Sequence, residues 1–548
     1  MGGVVTNVYD LSGRDTSQSD PMSRTTSYAY SGENYSALGG STTITDPIGQ
    51  ATIQRYTNGE LVSLEKGVGT PGDATWTYQY DPGTLGRTLV SDPNGHITSA
   101  TYDSQGNLLT STTDPLGVTT TVTYDARGNQ TSTSTPLVGS SPAQARTTTN
   151  LYADPAHPGD VTGTTDPDGK TSPMTYDASG DLLSVTDPMG DRSTTAYNGI
   201  GWRLSSTTPA GHTTQYAYNN FVDLTSTTDA LGHVSSSTYD ANRNRTGTTD
   251  ADGHHVATTY DAANQPSSVL QADGTTVRTG YDADGNVTSQ TDGSGKATTY
   301  TFDALNRQVS VSDPLGRTTR YAYDAAGNRI SLTNPSGQVT TYGYNTANQM
   351  NSTSYSDGVT PNVSNVTYDA DGQMLTMTDG TGTSSRTYDS LHRLTSSLDG
   401  AGATTGYGYD LKGQLTSVTY PGGSQTVKRA YDAAGRLTQI TDWLGNTTSF
   451  SYDPDSNLTT QSFPGAAAVR EIGLASGDPW QKAALSTGGS ALGAAGGEAL
   501  AGVACGAGLA TGPGDLVICP AALIIGAVAG GALGGWLGDQ AYDRFLKS

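Results

Sequence analysis

The chain has 548 residues, 33% of them hydrophobic and 14% charged, with a formal net charge of −23 and 31 tyrosines. A solid globular core at this length needs more Leu, Ile, Val and Phe, and nucleic acid is excluded as a partner because phosphate binding needs clustered Lys and Arg. Evenly placed tyrosines argue against disorder, which leaves a stacked repeat with a thin or hollow interior.

From Met1 to Asp10 there is no basic stretch followed by an apolar one, so no signal peptide is read there. The sequence is already repeat-like at this point. The expectation is the C-terminal portion of a longer secreted polypeptide, or a truncated one. Tyr80, Tyr102, Tyr124 and Tyr152 follow at uneven intervals. Then Tyr176, Tyr197, Tyr218, Tyr239, Tyr260, Tyr281, Phe302, Tyr323 and Tyr344 recur every 21 residues. The series continues through Tyr368, Tyr388, Tyr409, Tyr431 and Tyr452. A fixed period of this length is the mark of a repeat architecture.

Each unit reads as two short strands and two tight turns. Thr318 to Tyr323 is rich in Thr and Tyr, which suit strands. Asp324-Ala325-Ala326-Gly327 reads as a turn in which Asp bonds forward to the backbone and Gly takes positive φ. Ile330 and Leu332 lie on the next strand, and Asn334-Pro335-Ser336-Gly337 makes a second turn. Asn264, Asn306 and Asn348 replace the first-turn Gly, as left-handed φ allows. Arg243 and His392 in the same slot have no explanation from sequence. Apolar residues favour positions six and nine after the Tyr, as at Leu182 and Val185. That spacing puts them on opposite faces of a regular strand unless a bulge intervenes.

The YDxxGR/N and DPxG signatures at this period resemble the YD repeats of RHS-family proteins, a group related to teneurin shells and to the shells of insecticidal toxin complexes. The resemblance covers roughly residues 20 to 463. It implies a long antiparallel sheet spiralling into a hollow shell, which in bacterial members commonly encloses or presents a variable C-terminal toxin. The family's PxxxxDPxGL-type boundary motif is missing before the tail.

Candidate chemistry within the array is sparse. His96, His212, His233 and His254 each follow the second-turn Gly, in a slot that elsewhere holds Lys170, Lys296, Arg317, Gln338 or Val118. So permissive a slot is a solvent-facing strand start, not an acid–base position. His157, His255 and His392 have no partner by spacing. Repeated Asp residues suit turn chemistry better than calcium, because the nonapeptide calcium repeat is absent. The tyrosine rows read as sheet packing first, with sugar stacking as the alternative. Catalytic, cofactor-binding and metal residues are therefore expected to be none.

After Phe463-Pro464 the rhythm stops and Gly/Ala-rich sequence begins. Leu516 to Gly538 carries no charge, and Gly526, Gly530, Gly534 and Gly538 recur every fourth residue. On a helix this stripe permits close packing in lipid, and such a run is long enough to cross a bilayer. Cys505 and Cys519 flank a Gly/Pro turn, where a disulfide would staple a helical hairpin. Two free thiols packed as small hydrophobes are the alternative.

The expected protein is all-β, a YD-repeat shell over residues 1–464, with a short α-helical glycine-zipper tail over 465–548. It is a non-enzymatic, secreted or cell-surface scaffold presenting a membrane-active effector in contact-dependent competition. Its partners would be an immunity protein or a target-cell membrane, with no nucleic acid and no cofactor. The competing reading is a carbohydrate-binding, adhesin-like array with an inert hydrophobic tail.

Overall fold

The computed structural model describes residues 4–33, 38–106, 108–464 and 470–471. Among them every regular element is a β-strand. The chain divides into two compact units, residues 1–428 and 429–548. The expected helical tail, with Gly526, Gly530, Gly534, Gly538, Cys505 and Cys519, lies outside the described residues except for the two-residue strand Arg470–Glu471.

In the first unit, successive strands pair antiparallel with their sequence neighbours, except that a single Thr353–Val363 bridge joins Met350–Tyr355 to the segment before Ser364–Tyr368. Thr318–Tyr323 pairs forward with Arg329–Thr333, which pairs in turn with Val339–Tyr344. The turns of the regular 21-residue units share one geometry. The Asp324 amide donates to the Asn328 carbonyl at 2.9 Å, and the Gly327 amide donates back to the Asp324 carbonyl at 3.2 Å. Gly327 has φ +91°, and Asn264, Asn306 and Asn348 sit at +62°, +61° and +62°. This is a three-residue hairpin loop ending in a left-handed residue, which is why Gly or Asn belongs there. The aspartate locks the turn. Asp303 Oδ1 accepts the amides of Leu305 and Arg307 at 2.9 and 3.0 Å, each such bond contributing about 1 kcal/mol net.

A bulge recurs one step beyond each turn that follows a period-setting tyrosine, and not beyond the turns of the other kind. Tyr323 pairs with Arg329 and Ala322 with Ser331, which leaves Ile330 unpaired. Likewise Tyr176 pairs with Leu182 and Met174 with Val185. Tyr176 and Met174 point to the same side of their strand, so their partners Leu182 and Val185 do too. The bulge thus unites the apolar positions six and nine after the tyrosine on one face. Hydroxyl pairs fill the other face: Thr175 with Ser184 at 2.7 Å, Thr301 with Ser310 at 2.6 Å, Ser312 with Thr318 at 2.7 Å.

A solid core is missing from the described residues. The buried hydrophobic side chains are Ala74, Tyr78, Ala100, Val118 and Val366, and no large side chain is fully buried. A half-buried Leu or Tyr contributes roughly 1 kcal/mol, so stability accumulates in small equal steps along a single-layer sheet.

Within the first unit the sheet returns upon itself. Thr346 Oγ1 donates to Asn94 Oδ1 at 2.6 Å across 252 residues, and the Val138 amide donates to Ser390 Oγ across the same separation. That interval amounts to eleven and a half two-strand units. The strands between the first pair of contacts, Ile97–Tyr102 to Val339–Tyr344, number 23. At about 4.8 Å per strand they span a contour of about 110 Å per winding.

Candidate functional site

The tyrosines that set the period act as cross-repeat ties. Tyr323 donates its hydroxyl to the Gln308 carbonyl at 2.8 Å, fifteen residues back. The hydroxyls of Tyr176, Tyr239, Tyr260, Tyr281 and Tyr344 reach the carbonyls of Val161, Leu224, Arg245, Pro266 and Arg329 at the same separation. Tyr197, Tyr218 and Phe302 hold the same strand-end position. Tyr218 lies against Trp202, with ring centroids 5.9 Å apart.

The residue after the left-handed turn position ties the rim. Arg307 Nε holds Asp303 at 2.8 Å, its Nη1 donates to the Asp324 carbonyl of the next turn at 3.1 Å, and its guanidinium covers the Tyr323 ring at 4.6 Å. Arg436 repeats this with Asp432, Asp453 and Tyr452 in the second unit. Where Asn takes the slot, it reaches the next turn's Asn: Asn328 to Asn348 at 2.8 Å, Asn286 to Asn306 at 2.5 Å. The R/N of the signature is therefore a rim tie. Asp303 shows the electrostatic result. Burial pushes its carboxyl pKa up, but the Arg307 side-chain bond and the turn amides bring it below the usual value.

Six of the seven histidines fall into two groups; at the seventh, His212, the backbone amide donates to Thr208 Oγ1 of its own turn at 3.3 Å. His96, His233 and His254 sit 3.1, 2.9 and 2.9 Å from Asp92, Asp229 and Asp250, the aspartates of their own turns. Arg317 does the same with Asp313 at 2.6 Å, so this slot is a turn clasp open to solvent. The three histidines without a partner by spacing all have one in space. His157 meets Asp154 at 3.2 Å, and His255 meets Thr249 at 3.0 Å. His392 lies between Asp371 and Asp114, at 3.8 and 3.7 Å.

The residues that depart from the turn rule mark the contacts the repeat does not dictate. Arg243 takes φ +68° and places its guanidinium on Asp223 of the preceding turn, with contacts at 2.8 and 2.6 Å. His392, at φ +61°, faces the preceding winding. Along that seam, turns following the tyrosines meet turns of the other kind one winding earlier. Arg24 holds Asp284 and donates to the Asp303 carbonyl and to Asn306 Oδ1. Lys412 holds Asp166 at 2.8 Å. Ser390 donates to the Pro136 carbonyl at 2.9 Å. A seam set by distant residues gives no local signal beyond an unexpected residue in a turn.

Comparison with known proteins accords with this geometry. The RHS Repeat model matches residues 102–137, 176–213, 223–255, 260–297, 281–318, 302–338 and 323–360, and the Teneurin YD-shell model matches 359–466. The chain belongs to the RHS/YD-repeat family. Among solved structures, TcdB2-TccC3-TEV is similar at 14% identity and a TM-score of 0.60, over 83% of this chain and 30% of that one. A Photorhabdus luminescens Tc holotoxin pore matches at 14% identity and a TM-score of 0.45, over 84% and 30%. This RHS/YD chain thus spans about a third of the length of the solved chains it matches. No curated protein matches it. Among the described residues no helix is long and apolar enough to cross a membrane.

Proposed function

We propose that this chain is a non-catalytic RHS/YD shell scaffold, secreted or displayed at the cell surface, that encloses or presents its C-terminal segment as an effector in contact between cells. The observation that carries the reading is a single-layer sheet without a solid core that closes on itself through turn-to-turn contacts. Among the described residues such a sheet has one face carrying Tyr, Leu and Val positions that no second layer covers. An enclosed polypeptide segment is the natural occupant of that face, because half-exposed apolar surface gains from any covering chain.

The effector would be the Gly/Ala-rich tail, with its glycine stripe from Gly526 to Gly538 suited to close helix packing in a target membrane. Its partners would then be that membrane and an immunity protein. The test uses the full chain with a C-terminal epitope. Limited proteolysis should leave the epitope protected until the array is unfolded, and unfolded or released chain should then leak dye from liposomes of bacterial lipid. A freely cleaved tail and silent liposomes together overturn the reading.

One observation favours a second reading, glycan binding. A groove of about 800 Å³ is lined by Ser226, Ser236, Arg245, Thr248, His254 and Asp273, a set rich in hydroxyl and charged groups. Binding of the array to immobilised glycans, abolished by Arg245→Ala, would support adhesion. Failure of every glycan to bind removes it.

A further inference from the structure

Two other seam carboxylates each meet a cation of the chain itself. Asp284 stands third in the turn Asp282-Ala283-Asp284-Gly285 and receives Arg24. Asp166 receives Lys412. Asp371 stands third in an identical turn, Asp369-Ala370-Asp371-Gly372, yet it faces another carboxylate, Asp114, and the imidazole of His392. Its side chain is 9% exposed, and its Oδ2, turned into this cluster, has no hydrogen-bond partner. One donor atom from each of the three residues lies within 4.8 Å of the others. A buried, unpaired carboxylate oxygen beside a second carboxylate is costly without a cation.

We propose that Asp114, Asp371 and His392 form a site for a divalent first-row transition-metal ion, which clips one winding of the sheet to the next. Two carboxylates and an imidazole suit a borderline-soft ion such as Zn²⁺ better than Ca²⁺ or Mg²⁺, which prefer oxygen ligands alone. Zinc holds its donors at about 2.0–2.2 Å, so the three donors close by roughly 1 Å on binding. The half-exposed His392 ring is the part free to move. Gln373 braces it: its Nε2 donates to the His392 carbonyl at 2.9 Å, and its Oε1 lies 3.4 Å from Nδ1.

The experiment measures Zn²⁺ binding to the full chain by calorimetry and elemental analysis, in a Cys505→Ser/Cys519→Ser background so that the tail thiols do not contribute. His392→Asn and Asp371→Asn are the test variants. Asn already occupies the His392 position of other turns at Asn264, Asn306 and Asn348, so the fold survives the change. His254→Ala is the control for an exposed histidine. The expected result is one equivalent of Zn²⁺, weakened tenfold or more by either test variant and unchanged by the control. In EDTA, Asp371→Asn should be at least as thermostable as the parent, and added Zn²⁺ should raise the parent's Tm alone. Equal Zn²⁺ uptake by parent and test variants, or no uptake at micromolar free metal, overturns the proposal.

Discussion

Removing one phenolic oxygen from the array isolates the tie that joins neighbouring repeats. In Tyr323→Phe the ring stays under Arg307, whose guanidinium lies 4.6 Å from its centroid, and only the 2.8 Å bond to the Gln308 carbonyl is lost. Such a bond is worth about 1 kcal/mol net. Tyr323 is half-buried, so water partly replaces it and no full desolvation penalty arises. About 1 kcal/mol multiplies a local opening constant roughly fivefold at 25 °C. Hydrogen exchange should therefore quicken about fivefold for amides of Gln308–Ser312 and Thr318–Tyr323, with distant hairpins unchanged. Phe302 supplies the converse, because Phe302→Tyr places a hydroxyl within reach of the carbonyl fifteen residues back and should slow exchange there. Exchange unchanged in both variants would refute the claim that the hydroxyl, and not merely the ring, holds adjacent repeats together.

Val222 occupies the left-handed turn slot at φ +69°, where a β-branched side chain costs about 1–2 kcal/mol. Val222→Gly should therefore stabilise the fold by about 0.5–1 kcal/mol after glycine's entropic cost and raise the urea midpoint accordingly; a lowered midpoint would contradict the strain. Arg243→Asn keeps the turn but leaves the nearly buried Asp223 without its guanidinium, so the midpoint should fall, and adding Asp223→Asn should recover part of the loss. The side-chain bond from Asn244 lowers the Asp240 carboxyl pKa, and the His254 amide lowers that of Asp250. Folded values below the unfolded one mean stability that is present above about pH 4 and lost as pH falls through the folded values. Acid titration of the β-sheet circular-dichroism signal should show no loss from this source between pH 7 and 5, and a decline below 4.

Local rules carried the fold a long way. Asp324 and Gly327 name a turn by their chemistry, and twenty-one residues between aromatics leave room for two strands and two turns and little else. The two apolar positions three apart looked inconsistent with one buried face, and sequence left a bulge as the way out. The structure places that bulge at Ile330 and its equivalents. The seam was illegible for a different reason. Nothing near Asp371 or Ser390 announces a partner more than 250 residues away, because contact there depends on how many units complete a winding. What sequence did offer was anomaly. Arg243 and His392 broke the Gly/Asn rule without local reason, and both proved to bond outside their own turn.

That dependence on unit number can be tested directly. Deleting residues 261–281 joins Tyr260 to Asp282 and restores the Tyr-Asp step, so every remaining hairpin keeps its own turn, bulge and tyrosine tie. Nearest-neighbour energetics then remove only one unit's share of stability. The seam behaves otherwise. Asn94 and Thr346 become one unit closer in sequence, and the turn brought opposite Arg24 presents Leu305 where Asp284 stood. A guanidinium that loses its carboxylate in a half-buried site loses a bond of about 1.5–3 kcal/mol. With Cys505 and Cys519 replaced by Ser, the pair Asn94→Cys and Thr346→Cys should cross-link under mild oxidation in the full-length array and fail to do so after the deletion. The β-sheet circular-dichroism signal per residue should stay the same. Cross-linking that survives the deletion would mean the winding adjusts freely to its unit count, and the 23-strand register would then not be what sets the seam.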